Sequence, residues 1–213
     1  MLGCNMPSVA EHMRRHVLLP LLFTALCVPS TVAAPQTPHS TQAASASTSQ
    51  RPKWTEANKK ELLSKAQHGD AGAQFWLGVA YSQGWFGKTD FQEALKWLRS
   101  AAKRGDPDAQ NALGQMYGDG EGVPQNYAQA AKWYRKAAEH VPDFGGAGQG
   151  KNNLGLLYMN GLGVLKDYVQ AYMWFSLANV EANRSSAKAQ MTPAQVLEAE
   201  RMAAEWKTHH PER

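Results

Sequence analysis

GDPDAQNALGQMYGDGEGVPQNYAQAAKWYRKAAEH, residues Gly105 to His140, reads as one helical hairpin. Asp106-Pro107 opens a first helix, because an Asp side chain caps free backbone N–H groups and proline suits the first helical position. Gly118 to Val123 is a glycine-rich turn, and Asn126 opens a second helix. The pattern recurs on both sides. Moving back by 36 residues takes Leu113, Gly114, Tyr117, Gly120, Ala130, Trp133 and Ala137 onto Leu77, Gly78, Tyr81, Gly84, Ala94, Trp97 and Ala101. Moving forward by 41 takes them onto Leu154, Gly155, Tyr158, Gly161, Ala171, Trp174 and Ala178. A recurrence of this length marks a solenoid, in which each hairpin buries its apolar face against its neighbours.

The expected fold is therefore all-α: an α/α superhelical solenoid of about three hairpins, with a half repeat before them and a capping helix after. The repeats fall at about 70–105, 106–141 and 147–182 within a solenoid spanning 54–208. Asp70 and Asp106 should cap first helices; Asp90, Asn126 and Asp167 should cap second helices. Gly69 and Gly105 stop the preceding helix, since glycine turns left-handed without a Cβ penalty. Leu77/Tyr81, Leu113/Tyr117 and Leu154/Tyr158 are i, i+4 pairs on one face of the first helices. On the second helices, alanines permit close approach and Trp97, Trp133 and Trp174 are expected to fill the wedge to the next hairpin.

The array opens with half a repeat. Thr55 can cap a helix through about His68, and AQHGDAGAQ at Ala66 to Gln74 matches AKRGDPDAQ at Ala102 to Gln110. Phe86 stands where later repeats have Gly122 and Gly163, so the first turn should be built differently and expose an aromatic. Pro142 to Gly150, longer than its counterpart and rich in glycine, is expected to be a mobile loop. Glu181 to Gln190 reads as a polar connector. Thr192-Pro193-Ala194-Gln195 then gives a capping box, and the helix at 193–207 puts Val196, Ala199, Ala203 and Trp206 on one stripe suited to covering the last repeat.

Ahead of the repeats, Arg14, Arg15 and His16 precede an apolar run from Val17 to Val28 and the small residues Thr31-Val32-Ala33-Ala34. This is the pattern of a secretory signal, residues 1–34, cleaved near Ala33 or Ala34; translation starts at Met1 or Met13. Residues 35–53, rich in Gln, Thr, Ser, Ala and Pro, form an expected disordered linker. The cysteines, Cys4 and Cys27, both lie in the leader, so the mature chain would carry no disulfide and be held by packing alone. Leu26 stands where a lipidated Cys27 would need a small neighbour. The formal charge is +4, too small to argue for nucleic acid, and no apolar run is long enough to span a membrane.

The pattern A-x-x-L-G-x-x-Y-x-x-G-x-G-V, followed by D/N-Y-x-x-A-x-x-W-x-x-x-A-A, closely resembles the Sel-one-like repeat (SLR), a relative of the tetratricopeptide repeat. The resemblance covers roughly residues 66–179. It implies a right-handed superhelix and an adaptor that binds proteins or peptides, and it is similar to secreted bacterial members acting in the cell envelope. One branch of that family joins each hairpin by a disulfide and carries reported β-lactamase or penicillin-binding activity. The cysteines that define the branch are missing here.

Catalytic motifs are fragmentary. Gly145 to Lys151 has the G-x-x-x-x-G-K spacing of a phosphate-binding loop, but Asn152 follows where Ser or Thr would hold magnesium, and a flexible loop is the preferred reading. Ser185-Ser186-Ala187-Lys188 matches S-x-x-K without the companion S-D-N and K-T-G elements. No histidine makes metal-ligand spacing, and no cofactor, metal or catalytic residue is expected. Lys96, Arg99, Lys103 and Arg104, with Lys132, Arg135 and Lys136, form a basic ladder on adjacent second helices. It reads as a solvated face with weak attraction to anionic envelope polymers.

The functional expectation rests on the first helices. Opposite their core positions stand Phe75, Val79 and Gln83, then Asn111, Gln115 and Asp119, then Asn152, Leu156 and Asn160. Stacking would align these as three solvent-facing rungs on a concave surface, with Phe75 and Leu156 as apolar anchors and the amides reading a peptide backbone. The expected function is an exported interaction scaffold, not an enzyme; an envelope enzyme of the β-lactamase or peptidoglycan kind is the alternative.

Overall fold

The structure of the protein, a computed structural model, describes residues 56–140 and 145–211. The expected leader, the linker, the Thr55 cap and the first residues of the Pro142–Gly150 segment lie outside them. Among the described residues the chain is helical throughout: α1 (Glu56–Gln67), α2 (Ala71–Ser82), α3 (Phe91–Lys103), α4 (Pro107–Asp119), α5 (Tyr127–Ala138), α6 (Gly146–Asn160), α7 (Tyr168–Leu177), α8 (Glu181–Lys188) and α9 (Pro193–His209). The pairs α2–α3, α4–α5 and α6–α7 are the three hairpins, and each second helix packs on the first helix of the next hairpin. This is a helical solenoid, with α1 as the leading half repeat.

The caps fall where the sequence puts them. Asp70 accepts from the Ala73 N–H and Asp106 from the Ala109 N–H, both at 2.7 Å. Asp90, Asn126 and Asp167 cap α3, α5 and α7. Thr192 and Gln195 form the reciprocal capping box of α9. Each cap satisfies backbone donors that would otherwise be orphaned at a helix start.

One close approach sets the geometry of every hairpin. A Cβ on Gly78 would lie 2.5 Å from Leu98 Cγ, one on Gly114 would lie 2.4 Å from Tyr134 Cε1, and one on Gly155 would lie 2.6 Å from Phe175 Cε1. No side chain fits there, so the leucine-glycine step of each first helix is the socket for a large residue of the second. Leu98, Tyr134 and Phe175 are at most 1% exposed, whereas Trp97 and Trp133 are half-buried. The wedge expected of the tryptophans thus belongs to the residue after them in the first two repeats. Trp174 is buried because α9 lies on α7 and places Trp206 edge-on to it, centroids 6.3 Å apart.

Two segments expected to be irregular are helical. Of the Pro142–Gly150 segment, Gly146 to Gly150 forms the first turns of α6, with Gly146, Ala147 and Gly150 buried. The glycines there are contact residues: a Cβ on Gly146 would meet the Pro107 carbonyl oxygen at 2.2 Å, and one on Gly150 the Ala137 Cβ at 2.8 Å. Glycine richness at this place therefore lets α6 press onto α4 and α5. Glu181–Lys188, expected as a connector, is α8, which packs on α7 and buries Ala187. In the first turn, Phe86 is half-buried and edge-on to Tyr81 at 5.3 Å; the exposed aromatic of this repeat is Trp76, which lies on α2 and not in the turn.

A buried polar position recurs through the first helices. Gln74 donates to the Ala66 carbonyl and Gln110 to the Ala102 carbonyl, so each amide satisfies the end of the preceding helix. The third equivalent is Lys151, fully buried, its ammonium 4.1 Å from the centre of the Trp206 ring. The face of an indole attracts a cation. Lys151 thus joins the third hairpin to α9.

Candidate functional site

The rung residues lie on α2, α4 and α6, except Gln83, which caps the end of α2. Their environments differ more than the sequence suggests. Gln83, Asp119 and Asn160, at the helix ends, are exposed, and the Asn160 amide donates back to the Leu156 carbonyl at 2.9 Å. Val79 and Gln115 are half-buried. Phe75 packs on the cluster around Leu95, Leu98 and Leu113, and Leu156 on the one around Tyr172 and Phe175. Both apolar residues therefore spend part of their surface inside the solenoid.

Asn111 is not solvent-facing. It is 3% exposed, donates to Gln149 Oε1 at 2.9 Å, and accepts from Asn153 Nδ2 at 3.0 Å. It ties α4 to α6 because the glycine-lined start of α6 comes close enough for its amides to reach it. Asn152 likewise accepts from Asn183 Nδ2 of α8 at 2.8 Å. Asn111 thus holds α4 and α6 in register and Asn152 holds α6 against α8, and the groups left facing outward are Gln83, Gln115, Asp119 and Asn160 with the outer edges of Val79, Phe75 and Leu156.

Beside Phe75 the structure shows an aromatic ledge. Phe75 and Trp76 have centroids 5.2 Å apart, and Trp76, 49% exposed, stacks on Trp85 at 6.5 Å and 24°. The equivalents of Trp76 are Ala112 and Asn153, so the ledge is particular to the first repeat. That departure from the repeat is legible in the sequence; the stacking of residues nine apart is not.

At the other end of α4, Asp119 faces a cluster of groups that resist ionisation. Burial, then the Asp119 charge, raises the pKa of Glu121 above the usual carboxylate range, and the same two causes raise that of Tyr127. Burial also pushes Tyr134 up. The region is thus locally acidic and partly dehydrated.

The catalytic fragments do not converge. Of the Gly145–Lys151 segment, Gly145 precedes α6 and the rest is helical, with Lys151 buried. Ser185 Oγ donates to Glu181 Oε1 at 2.9 Å, and Ser186 Oγ to the Ala182 carbonyl. In the basic ladder, Arg99 donates to Tyr117 OH at 3.2 Å and Arg135 to Tyr158 OH at 2.9 Å, the same bridge in consecutive repeats. Each links a second helix to the next first helix.

Repeated hairpins locked by the same glycine socket define an α-helical repeat protein. The family model for the Sel1 repeat matches residues 71–106, 107–140 and 149–179, and the chain belongs to the Sel1-repeat family. Several solved structures resemble it, two of them as follows. One is c5321, a protective antigen present in uropathogenic Escherichia coli strains and displaying an SLR fold: 42% identity, TM-score 0.53, covering 62% of this chain and 27% of that one. The other is a Sel1 repeat protein from Oxalobacter formigenes: 30% identity, TM-score 0.51, covering 58% of this chain and 49% of that one. The matched part thus spans about a quarter and about half of those two chains. Among curated proteins, none matches. Sel1-repeat proteins are generally protein-interaction scaffolds, and no helix among the described residues is long and apolar enough to cross a membrane.

Proposed function

We propose that this protein is an exported scaffold that binds a peptide or protein segment along the outward face of α2, α4 and α6, the expected concave surface. The observation that carries this reading is the division of labour among the rung amides. Asn111 ties α4 to α6 and Asn152 ties α6 to α8, while the amides of Gln83, Gln115 and Asn160, with the Asp119 carboxylate, remain at the surface on a rigid frame. A preorganised row of amides binds a peptide backbone with little ordering cost. Phe75, continuous with Trp76, anchors one end, and Leu156 the other. Export rests on the leader pattern before Pro35 and places the partner in the cell envelope or outside the cell.

The test is a double variant, Gln83→Ala with Gln115→Ala, in a crosslinking pull-down from intact cells. The expected result is unchanged melting and several-fold weaker capture of the partner, since each lost hydrogen bond contributes about 0.5 to 1.5 kcal/mol. Undiminished capture would remove these rungs from the binding face.

A further inference from the structure

The basic ladder has a rung before those read from the basic clusters of α3 and α5. Lys60 on α1 stands 36 residues before Lys96 on α3, which stands 36 before Lys132 on α5, and all three are exposed. We propose that this row is a docking surface for a linear acidic polysaccharide, separate from the first-helix face.

Charge complementarity carries the argument. The span of α5 holds Lys132, Arg135 and Lys136 and no carboxylate. On α3, Glu93 offsets Lys96, at 3.0 Å. Arg99 and Arg135 are held against Tyr117 and Tyr158, and a guanidinium so held keeps further N–H donors for a carboxylate. Half-buried tryptophans accompany the row: Lys96 lies 5.3 Å from the Trp97 ring centre and Lys136 lies 4.8 Å from that of Trp133. The row ends where the next equivalent is Met173, 5% exposed and packed with Ala203 of α9.

The signs along the row select the partner. Lys96 is paired with Glu93, and the α1 span carries Glu56 and Glu61 beside Lys60, so the row is a broken line of positive charge, poorly matched to duplex DNA, which carries a charge about every 1.7 Å. An anionic membrane would be met by protruding apolar side chains, but Trp76, Leu165 and Leu197, the exposed large ones, lie on α2, after α6 and on α9, off this row. A polyuronate has one carboxylate per sugar ring and an apolar C–H face that stacks on indoles, which suits both features.

The experiment is calorimetric titration of the full chain with polygalacturonate at low salt. The expected result is salt-sensitive binding that weakens about tenfold in the Lys60→Gln, Lys96→Gln, Lys132→Gln triple variant, with melting unchanged. The matching triple to Arg should retain binding, and Gln115→Ala should leave it intact. No binding by the unaltered chain, equal binding by the Gln triple, loss with Gln115→Ala, or tighter binding to duplex DNA or phosphatidylglycerol vesicles would each overturn the proposal.

Discussion

Gly114 and Tyr134 meet so closely that a β-carbon on the glycine would lie 2.4 Å from the tyrosine ring. Tyr134 is fully buried, and its ring cannot retreat without displacing α5 from α4. Gly114→Ala is therefore expected to destabilise the protein by about 1–3 kcal/mol, despite alanine's better helix propensity, because overpacking dominates. Gly72→Ala is the contrast. Gly72 is exposed, and the nearest atom to an added Cβ is Asp70 Oδ1 at 3.5 Å, so its melting temperature should stay level or rise.

Neighbouring aromatics on α5 should differ in their contribution. Tyr134→Ala is expected to cost about 3–5 kcal/mol, the usual range for emptying a large core site. Trp133, half-buried beneath Lys136, should cost clearly less on truncation. Chemical denaturation of both variants checks the order. The sequence-based expectation put Trp133 in the wedge.

Asn111→Ala should destabilise by about 1–3 kcal/mol, because it leaves Gln149 and Asn153 without their shared partner at a buried contact. Gln115→Ala, one turn on and half-buried, should be close to neutral. Equal melting temperatures for the two would mean that Asn111 does not tie α4 to α6.

Glu121 gives a pH-dependent prediction. Its folded pKa is raised, first by burial and then by Asp119, so the folded state binds this proton more tightly than the unfolded chain. Stability from this group is present at low pH and is lost as pH rises through the folded pKa. Glu121→Gln should therefore melt higher than the unaltered protein at pH 7, with the difference vanishing in acid. A difference that grows on acidification would reverse the assignment.

Much of this architecture is legible because it repeats. Leu113-Gly114, the caps at Asp106 and Asn126 and the capping box at Thr192 follow from local rules that each repeat obeys alone. The misplaced elements are those whose reason lies across repeats. Gly146 and Gly150 look like loop residues until Pro107 and Ala137 are seen against them, and α8 is polar along its length because only Ala187 is buried. Asn111 has the chemistry of a surface amide, and only the approach of α6 makes it internal. The ledge of Trp76 and Trp85 depends on a turn folding back, which no periodicity encodes.

Placement of the binding face is tested most directly by a photo-crosslinking residue at position 115 on α4, compared with one at Ala128, exposed on α5, in intact cells. The account predicts a discrete crosslinked partner from position 115 that is absent or much weaker from position 128, and that is lost when Gln83 and Asn160 are also changed to alanine. A partner captured from position 128 and not from position 115 would contradict it.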